Sequence, residues 1–137
     1  MKAICKIYAN GDKAWYLNGT HHRVDGPAIE YASGDKSWYL NDKLHRVDGP
    51  AIEYANGTKI WYQNGKRHRE DGPAVEMANG DKVWYLNGNM HREDGPAIDH
   101  AHGYKAWWLN DEYITDNPLV FLIKLYEYQL TSSQSPV

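Results

Sequence analysis

The sequence predicts a mainly β fold: an array of about five 23-residue antiparallel β-hairpin repeats forming one elongated, twisted sheet, closed by a C-terminal α-helix. Three observations predict it. The phrase His-Arg-x-Asp-Gly-Pro-Ala starts at His22, His45, His68 and His91, always 23 residues apart. Trp15, Trp38, Trp61, Trp84 and Trp107 keep the same interval, each before another aromatic residue. After Asn117-Pro118 the period stops and helical spacing begins. Fixed self-similarity of this kind marks a repeat architecture.

Residues 1–21 read as a leading partial unit, because Tyr8, Gly11, Lys13 and Trp15 keep the phase. Four full units follow over 22–113. Each reads as a hairpin, with Pro27-Ala-Ile-Glu-Tyr31 as one strand and Lys36-Ser-Trp-Tyr-Leu40 as the other. Asn10-Gly11, Asn56-Gly57 and Asn79-Gly80 fall between such segments, and Asn-Gly suits a two-residue type I′ turn. With Ser33-Gly34 as the loop, Ile29 is expected opposite Trp38, Pro27 opposite Leu40, and Tyr31 opposite Lys36. Ala28 with Tyr39 and Glu30 with Ser37 then form the other face, since side chains alternate along a strand.

The segment 114–130 is expected to cap the array or to dimerise it. Asn117 is a suitable N-cap and Pro118 suits the first helical turn. Leu119, Leu122, Ile123, Tyr126 and Leu130 follow helical spacing, and Phe121, Leu125 and Tyr128 widen the apolar surface. A helix about 20 Å long cannot cover a sheet of roughly 45–50 Å. Strong curvature or a second copy is therefore expected, with a homodimer through Leu119, Leu122, Ile123 and Tyr126. The tail 131–137 reads as disordered.

Composition narrows the function. Lys and Arg number 15 against 18 Asp and Glu, a formal charge of −3 that disfavours generic nucleic-acid binding. Eleven Tyr and six Trp against one Phe favour half-buried positions and binding surfaces. Cys5 is the single cysteine, so no intrachain disulfide can form, and a reducing, cytoplasmic setting is expected. No signal peptide is visible, and the run Leu119 to Ile123 is too short to span a membrane.

The recurring phrase reads first as a connector between hairpins, with Asp25, Asp48, Asp71 and Asp94 bonding within the loop and Trp38, Trp61 and Trp84 as repeat structure. A second reading is an anion-binding rim of Arg23, Arg46, Arg69 and Arg92, most basic around Lys66, Arg67, His68 and Arg69, because the guanidinium fork suits phosphate and carboxylate. Equivalent histidines two strands apart, about 9–10 Å, cannot share one zinc ion. His21-His22 and the group Asp99, His100 and His102 each occur in one unit only. General acid–base catalysis needs one positioned pair in a closed site, and four equivalent pairs do not supply it. No catalytic residue, metal or cofactor is expected. Tyr16, Tyr39, Tyr62, Tyr85 and Trp108 form a further candidate, an aromatic platform on the mixed face, packed beside Cys5, Ala28, Ala51, Ala74 and Ala97.

The stretch Tyr54-Ala-Asn-Gly-Thr-Lys-Ile-Trp-Tyr-Gln-Asn-Gly-Lys-Arg-His68 resembles a MORN repeat, also a 23-residue hairpin. The resemblance covers about residues 1–113. It departs from the family where Arg-x-Asp-Gly-Pro replaces the usual Gly-x-Gly after the His, so the chain looks like a divergent MORN-type variant, of a kind seen in phage, giant-virus and bacterial proteins. The resemblance implies scaffold, dimerisation or binding roles and no enzymatic activity. The expected function is non-enzymatic binding of another protein, as a scaffold or as a viral or mobile-element inhibitor of a host factor. Sequestration of a small anionic ligand such as a nucleotide is the alternative.

Overall fold

A computed structural model describes residues 2–133, in which 18 short strands precede a single helix, Pro118–Ser133. Twelve of the strands form one antiparallel sheet that runs from the edge strand Ile4–Ile7 to Glu112–Thr115 without closing into a barrel, and the other six pair as three separate two-stranded hairpins. The mainly β repeat fold is as the sequence predicts. Its turns and register are not.

The loop at Ser33-Gly34 is one residue longer than expected. Gly34 N–H donates to the Tyr31 carbonyl at 2.9 Å, and Tyr31 N–H donates to the Asp35 carbonyl at 2.9 Å. Gly34 has φ +99°. This is a three-residue loop, Ala32-Ser33-Gly34, in which a type I turn ends in a left-handed glycine bulge. Asn10, Asn56 and Asn79 do not take up positive φ. Instead the Oδ1 atoms of Asn56 and Asn79 accept from the backbone N–H of Thr58 and Asp81, at 2.9 and 3.0 Å. That local bond holds Asn in the type I turn.

The extra loop residue shifts the register by one. Ile29 faces Ser37 and Glu30 faces Lys36, in place of the expected Ile29–Trp38 and Glu30–Ser37 pairs. A one-residue slip exchanges the faces of a whole strand. One row across the sheet therefore runs Ala14, Ile29, Ser37, Ile52, Ile60 and on to Ala106. The adjoining row, on the opposite face, runs Lys13, Glu30, Lys36, Glu53, Lys59 and on to Lys105, alternating in charge. Tyr39 shares the aliphatic side with Ser37. Trp38 shares the charged side with Lys36.

Each unit also has a second hairpin that the sequence reading missed. Leu17 pairs with Thr20 around Asn18-Gly19, and Leu40 pairs with Lys43 around Asn41-Asp42. Both loop residues have positive φ, 52° and 77° in the first case and 50° and 65° in the second. These are the two-residue type I′ turns, at the opposite end of the strands from the predicted ones.

Between the two hairpins, the chain leaves the sheet. Trp15 accepts from His22 N–H at 3.0 Å and donates to the Ala28 carbonyl at 2.8 Å. Residues 23–27 are thus an excursion between two segments that flank the same tryptophan. Trp38, Trp61 and Trp84 bracket the equivalent excursions.

The helix begins as predicted, with the Asn117 Oδ1 accepting from Leu119 N–H at 2.9 Å and Pro118 in the first turn. Phe121, Leu125 and Tyr128 pack on Trp107, Leu109 and Ile114, so the helix caps the last hairpin. Leu119, Leu122, Ile123 and Tyr126 point away from the sheet and are exposed. The helix continues to Ser133, and the remainder of the expected disordered tail, 134–137, lies outside the described residues. No helix among the described residues is long and apolar enough to cross a membrane.

Candidate binding faces

The arginines of the recurring phrase fold back onto the sheet. The guanidinium carbons of Arg23, Arg46, Arg69 and Arg92 lie 3.8, 3.9, 3.9 and 3.8 Å from the ring centres of Trp15, Trp38, Trp61 and Trp84. Arg69 donates from Nε to Asp71 at 3.0 Å, and from Nη1 to the Pro73 carbonyl at 3.0 Å and to Glu76 at 3.1 Å. Arg46 repeats the set with Asp48, Pro50 and Glu53. One side chain thus ties the far end of the excursion to the strand that follows it and covers a tryptophan face. The Arg23 contact also holds the Asp25 carboxyl below its ordinary range, through its hydrogen bond and then its charge.

The glycine of the phrase makes room for this clamp. A Cβ built on Gly26, Gly49, Gly72 or Gly95 would come within 2.8, 3.0, 2.9 or 2.6 Å of the adjacent arginine Cζ. None of the four has positive φ, so it is the close approach of the guanidinium, rather than turn geometry, that favours glycine here.

The histidines are committed as well. His22, His45, His68 and His91 accept at Nδ1 from the backbone N–H of Asn41, Asn64, Asn87 and Asn110, at 3.1, 3.0, 2.9 and 2.9 Å. Each bond joins the histidine that opens a unit to the type I′ turn near that unit's end. An imidazole that accepts at Nδ1 carries its proton on Nε2, and His91 Nε2 faces Glu93 at 3.1 Å. That bond is the main cause that lowers the Glu93 carboxyl.

The acidic members of the loops project outward. Asp25, Asp48, Asp71 and Asp94 have side chains 87–88% exposed, against 21–24% for the arginines. Successive loops enclose open grooves. One of about 820 Å³ is lined by Asp25, Trp38, His45, Arg46 and Asp48. Among the described residues no group of three or more His, Cys, Asp or Glu is placed to hold a metal ion.

Lys66, Arg67, His68 and Arg69 do not form one patch. Lys66 pairs with Gln63 and Arg67 with Tyr62, so strand alternation sends Lys66 and Arg67 to opposite faces. His68 is buried and Arg69 lies on Trp61. Arg67 instead joins the tyrosine face. It donates to the hydroxyls of Tyr62 at 3.3 Å and Tyr85 at 3.4 Å, and stacks 5.4 Å from the Tyr85 ring centre. The Tyr62 bond pushes the Arg67 value further up. Burial raises Tyr39, with Tyr31, Tyr62 and Tyr54 close enough to add to the effect. At the leading end, Tyr8 and Tyr16 share a 2.8 Å hydroxyl bond.

The neighbours expected beside this tyrosine series belong elsewhere. Cys5 pairs with Trp15, and Ala28, Ala51, Ala74 and Ala97 stand opposite the tryptophans, fully buried. The tyrosines share their face with the isoleucine and valine row. Tyr31 and Tyr54, each about two-fifths exposed, extend it and were not singled out from the sequence. A set of cross-unit acceptors was also missed. Asp12, Asp35, Thr58 and Asp81 bond the backbone N–H of Ala32, Ala55, Ala78 and Ala101 at 2.7, 2.7, 3.0 and 2.8 Å. Their signal is a hydrogen-bonding residue directly after each turn glycine, at the same 23-residue interval. No protein-family model matches the chain, and no curated protein matches it.

Proposed function

We propose that this chain is a non-enzymatic repeat protein, of divergent MORN type, that binds another protein across its tyrosine face. The observation that carries the reading is the division of labour between the two faces. The phrase's arginines and histidines are held by bonds inside the array. Tyr39, Tyr62 and Tyr85 lie half-buried on the opposite face, with the exposed Arg67 bonded to the hydroxyls of Tyr62 and Tyr85. Tyr and Arg are the residue types that dominate binding energy in protein interfaces. Equivalent His-Arg-Asp sets, four times repeated, favour a structural role over catalysis. The setting proposed is the cytoplasm, of the host cell if the protein is viral, with a scaffold or inhibitor role and a homodimeric assembly through the helix.

Affinity capture from native host lysate tests the binding face. The unaltered protein should retain a stoichiometric partner that Tyr62→Ser with Arg67→Ser releases, whereas Lys66→Ser on the other face retains it. Equal retention by the tyrosine-face variant would place the interface elsewhere.

The groove beside Arg46 favours a second reading, capture of a small anion, because its volume suits a ligand of nucleotide size. Its exposed Asp25 and Asp48 oppose an anion, and Nε and Nη1 of Arg46 are already engaged. Calorimetry against nucleotides separates the two: a stoichiometric heat supports this reading, and none supports the first.

A further inference from the structure

We infer that the leading end of the tyrosine face carries an aromatic cage for an organic cation, the methylated ammonium of a lysine side chain on the bound protein. The inference deepens the proposed reading of that face and rests on it for the source of the cation. The cage itself is tested with a free small molecule.

A cavity of about 470 Å³ opens at this end, within the size range of ligand sites. Tyr8, Tyr16 and Tyr31 line it, with His21, Ile29 and the buried Ala14. Alternation along the paired strands puts these side chains on the side that carries Tyr39. Tyr8 and Tyr31 are 37 and 40% exposed, so ring surface is open to a ligand. The His21 ring centre lies 4.8 Å from that of Tyr16 and 5.4 Å from that of Tyr39, which joins the cavity to the rest of the face.

Two observations identify the occupant as a cation. The first is charge. Asp12 is the one acidic residue that lines the cavity, and among the described residues no Lys or Arg lines it. The second is that the chain's own cations already stack on this face. Lys6 Nζ lies 4.8 Å from the Tyr8 ring centre, and the Arg67 guanidinium carbon 5.4 Å from that of Tyr85. Arg67 pairs with Tyr62 in the place, two repeats on, that His21 holds opposite Tyr16. Aromatic rings present a negative face to a cation, and rings that converge on one cavity are the usual means of holding a quaternary ammonium.

Hydrogen bonding favours the methylated form. A plain ammonium brings three N–H donors that need acceptors. Here the polar groups are engaged with one another. The Tyr8 and Tyr16 hydroxyls share their 2.8 Å bond, and Asp12 accepts from Ala32 N–H at 2.7 Å and from the Asn10 side chain at 3.0 Å. A trimethylated nitrogen keeps the charge, brings no donor and presents methyl groups to the rings and to Ile29.

Calorimetry with three N-acetyl amino amides tests the cage: trimethyllysine, lysine, and the neutral analogue with carbon in place of the charged nitrogen. Trimethyllysine should bind one to one with a dissociation constant on the order of 1 mM. The other two should bind about tenfold more weakly or worse. Tyr31→Leu should weaken trimethyllysine by about three- to tenfold, and Asp12→Asn, which keeps an acceptor for Ala32, by about threefold, both with unchanged β circular dichroism. Equal affinity for the neutral analogue, or no heat from trimethyllysine at tens of millimolar, would overturn the cage. Equal affinity for lysine would overturn the methylated occupant. Sedimentation with phosphatidylcholine vesicles that Tyr31→Leu abolishes would assign the cage to a lipid headgroup and overturn the protein source. Failure in calorimetry would leave the lysate capture through Tyr62 and Arg67 standing, because that capture does not depend on Tyr31.

Discussion

Phe121 packs on Trp107 with ring centroids 6.0 Å apart, in the place that an arginine holds over each earlier tryptophan of the series. No copy of the recurring phrase follows Trp107, and the helix supplies the missing cover. A single-layer sheet leaves its large side chains open to water unless something lies over them. Here the cover is local and repeats with the sheet: a folded-back arginine over four tryptophans of the series and a phenylalanine over the fifth.

Phe121→Ala should therefore unseat the helix. Truncating a buried Phe costs about 3–5 kcal/mol where the site cannot collapse. The expected result is loss of most helical circular dichroism with the β signal retained, because repeat arrays couple mainly through nearest neighbours. Retained helicity would contradict this packing role.

The clamp should resist crowding at its glycine. Gly72→Ala places a Cβ against the Arg69 guanidinium, and about 1–3 kcal/mol of destabilisation is expected from displacing it. In an Arg69→Ala background the same change meets far less obstruction. Chemical unfolding of the four proteins of this cycle should give strongly non-additive costs, and additive costs would mean that the two residues act independently.

His68→Phe keeps a flat ring and removes the acceptor of the Asn87 N–H. An unsatisfied buried donor costs about 1–3 kcal/mol. Hydrogen exchange should show the Asn87 amide losing protection first, ahead of amides on the far side of the same unit.

Two equivalent cross-unit bonds differ in whether they titrate. Asp81 accepts from Ala101 N–H, which is the largest cause that lowers its carboxyl, whereas Thr58 makes the same bond to Ala78 with a hydroxyl. A depressed carboxyl contributes stability that is full above its unfolded value, about 3.9, and is lost as pH falls through the folded value. The stability gap between the unaltered protein and Asp81→Ala should be constant near neutral pH and should narrow below about pH 4. The gap for Thr58→Ala should not change over that range. Urea unfolding at several pH values distinguishes them, and parallel behaviour of the two variants would contradict the account. At the alkaline end, burial raises Tyr39, so its hydroxyl should ionise above the ordinary tyrosine range in an ultraviolet titration compared with Tyr39→Phe.

Much of this arrangement is legible in the sequence, for identifiable reasons. The 23-residue interval exposes the repeat, and Asn117-Pro118 marks the helix start through cap chemistry that acts locally. The turns were harder, because Asn-Gly occurs in two roles. At Asn18-Gly19 both residues turn left-handed, whereas at Asn56-Gly57 only the glycine does. The residue after the glycine is threonine in both, and only its bonding separates them: Thr20 Oγ1 donates to the Leu17 carbonyl, whereas Thr58 N–H donates to Asn56 Oδ1 and Thr58 Oγ1 accepts from Ala78 N–H. Misreading that loop by one residue was enough to place Ile29 on the tryptophan side. The pairing of Arg23 with Asp25 was legible from their place in one loop, but the stacking on tryptophan was not. Trp61 and Arg69 are eight residues apart, and they meet only because residues 69–73 leave the sheet and fold back over it.

The phrase's arginine is a clamp internal to the array. The urea midpoint of Arg69→Ala tests it most directly. A desolvated cation–π contact contributes about 2 kcal/mol and hydrogen bonds from a charged group add to it, so a loss of about 2–3 kcal/mol relative to the unaltered protein is predicted. Lys66→Ala, three residues away on an exposed strand, should stay within about 0.5 kcal/mol. An Arg69→Ala protein with an unchanged midpoint would contradict the account and return Arg69 to the set of residues free to bind a ligand.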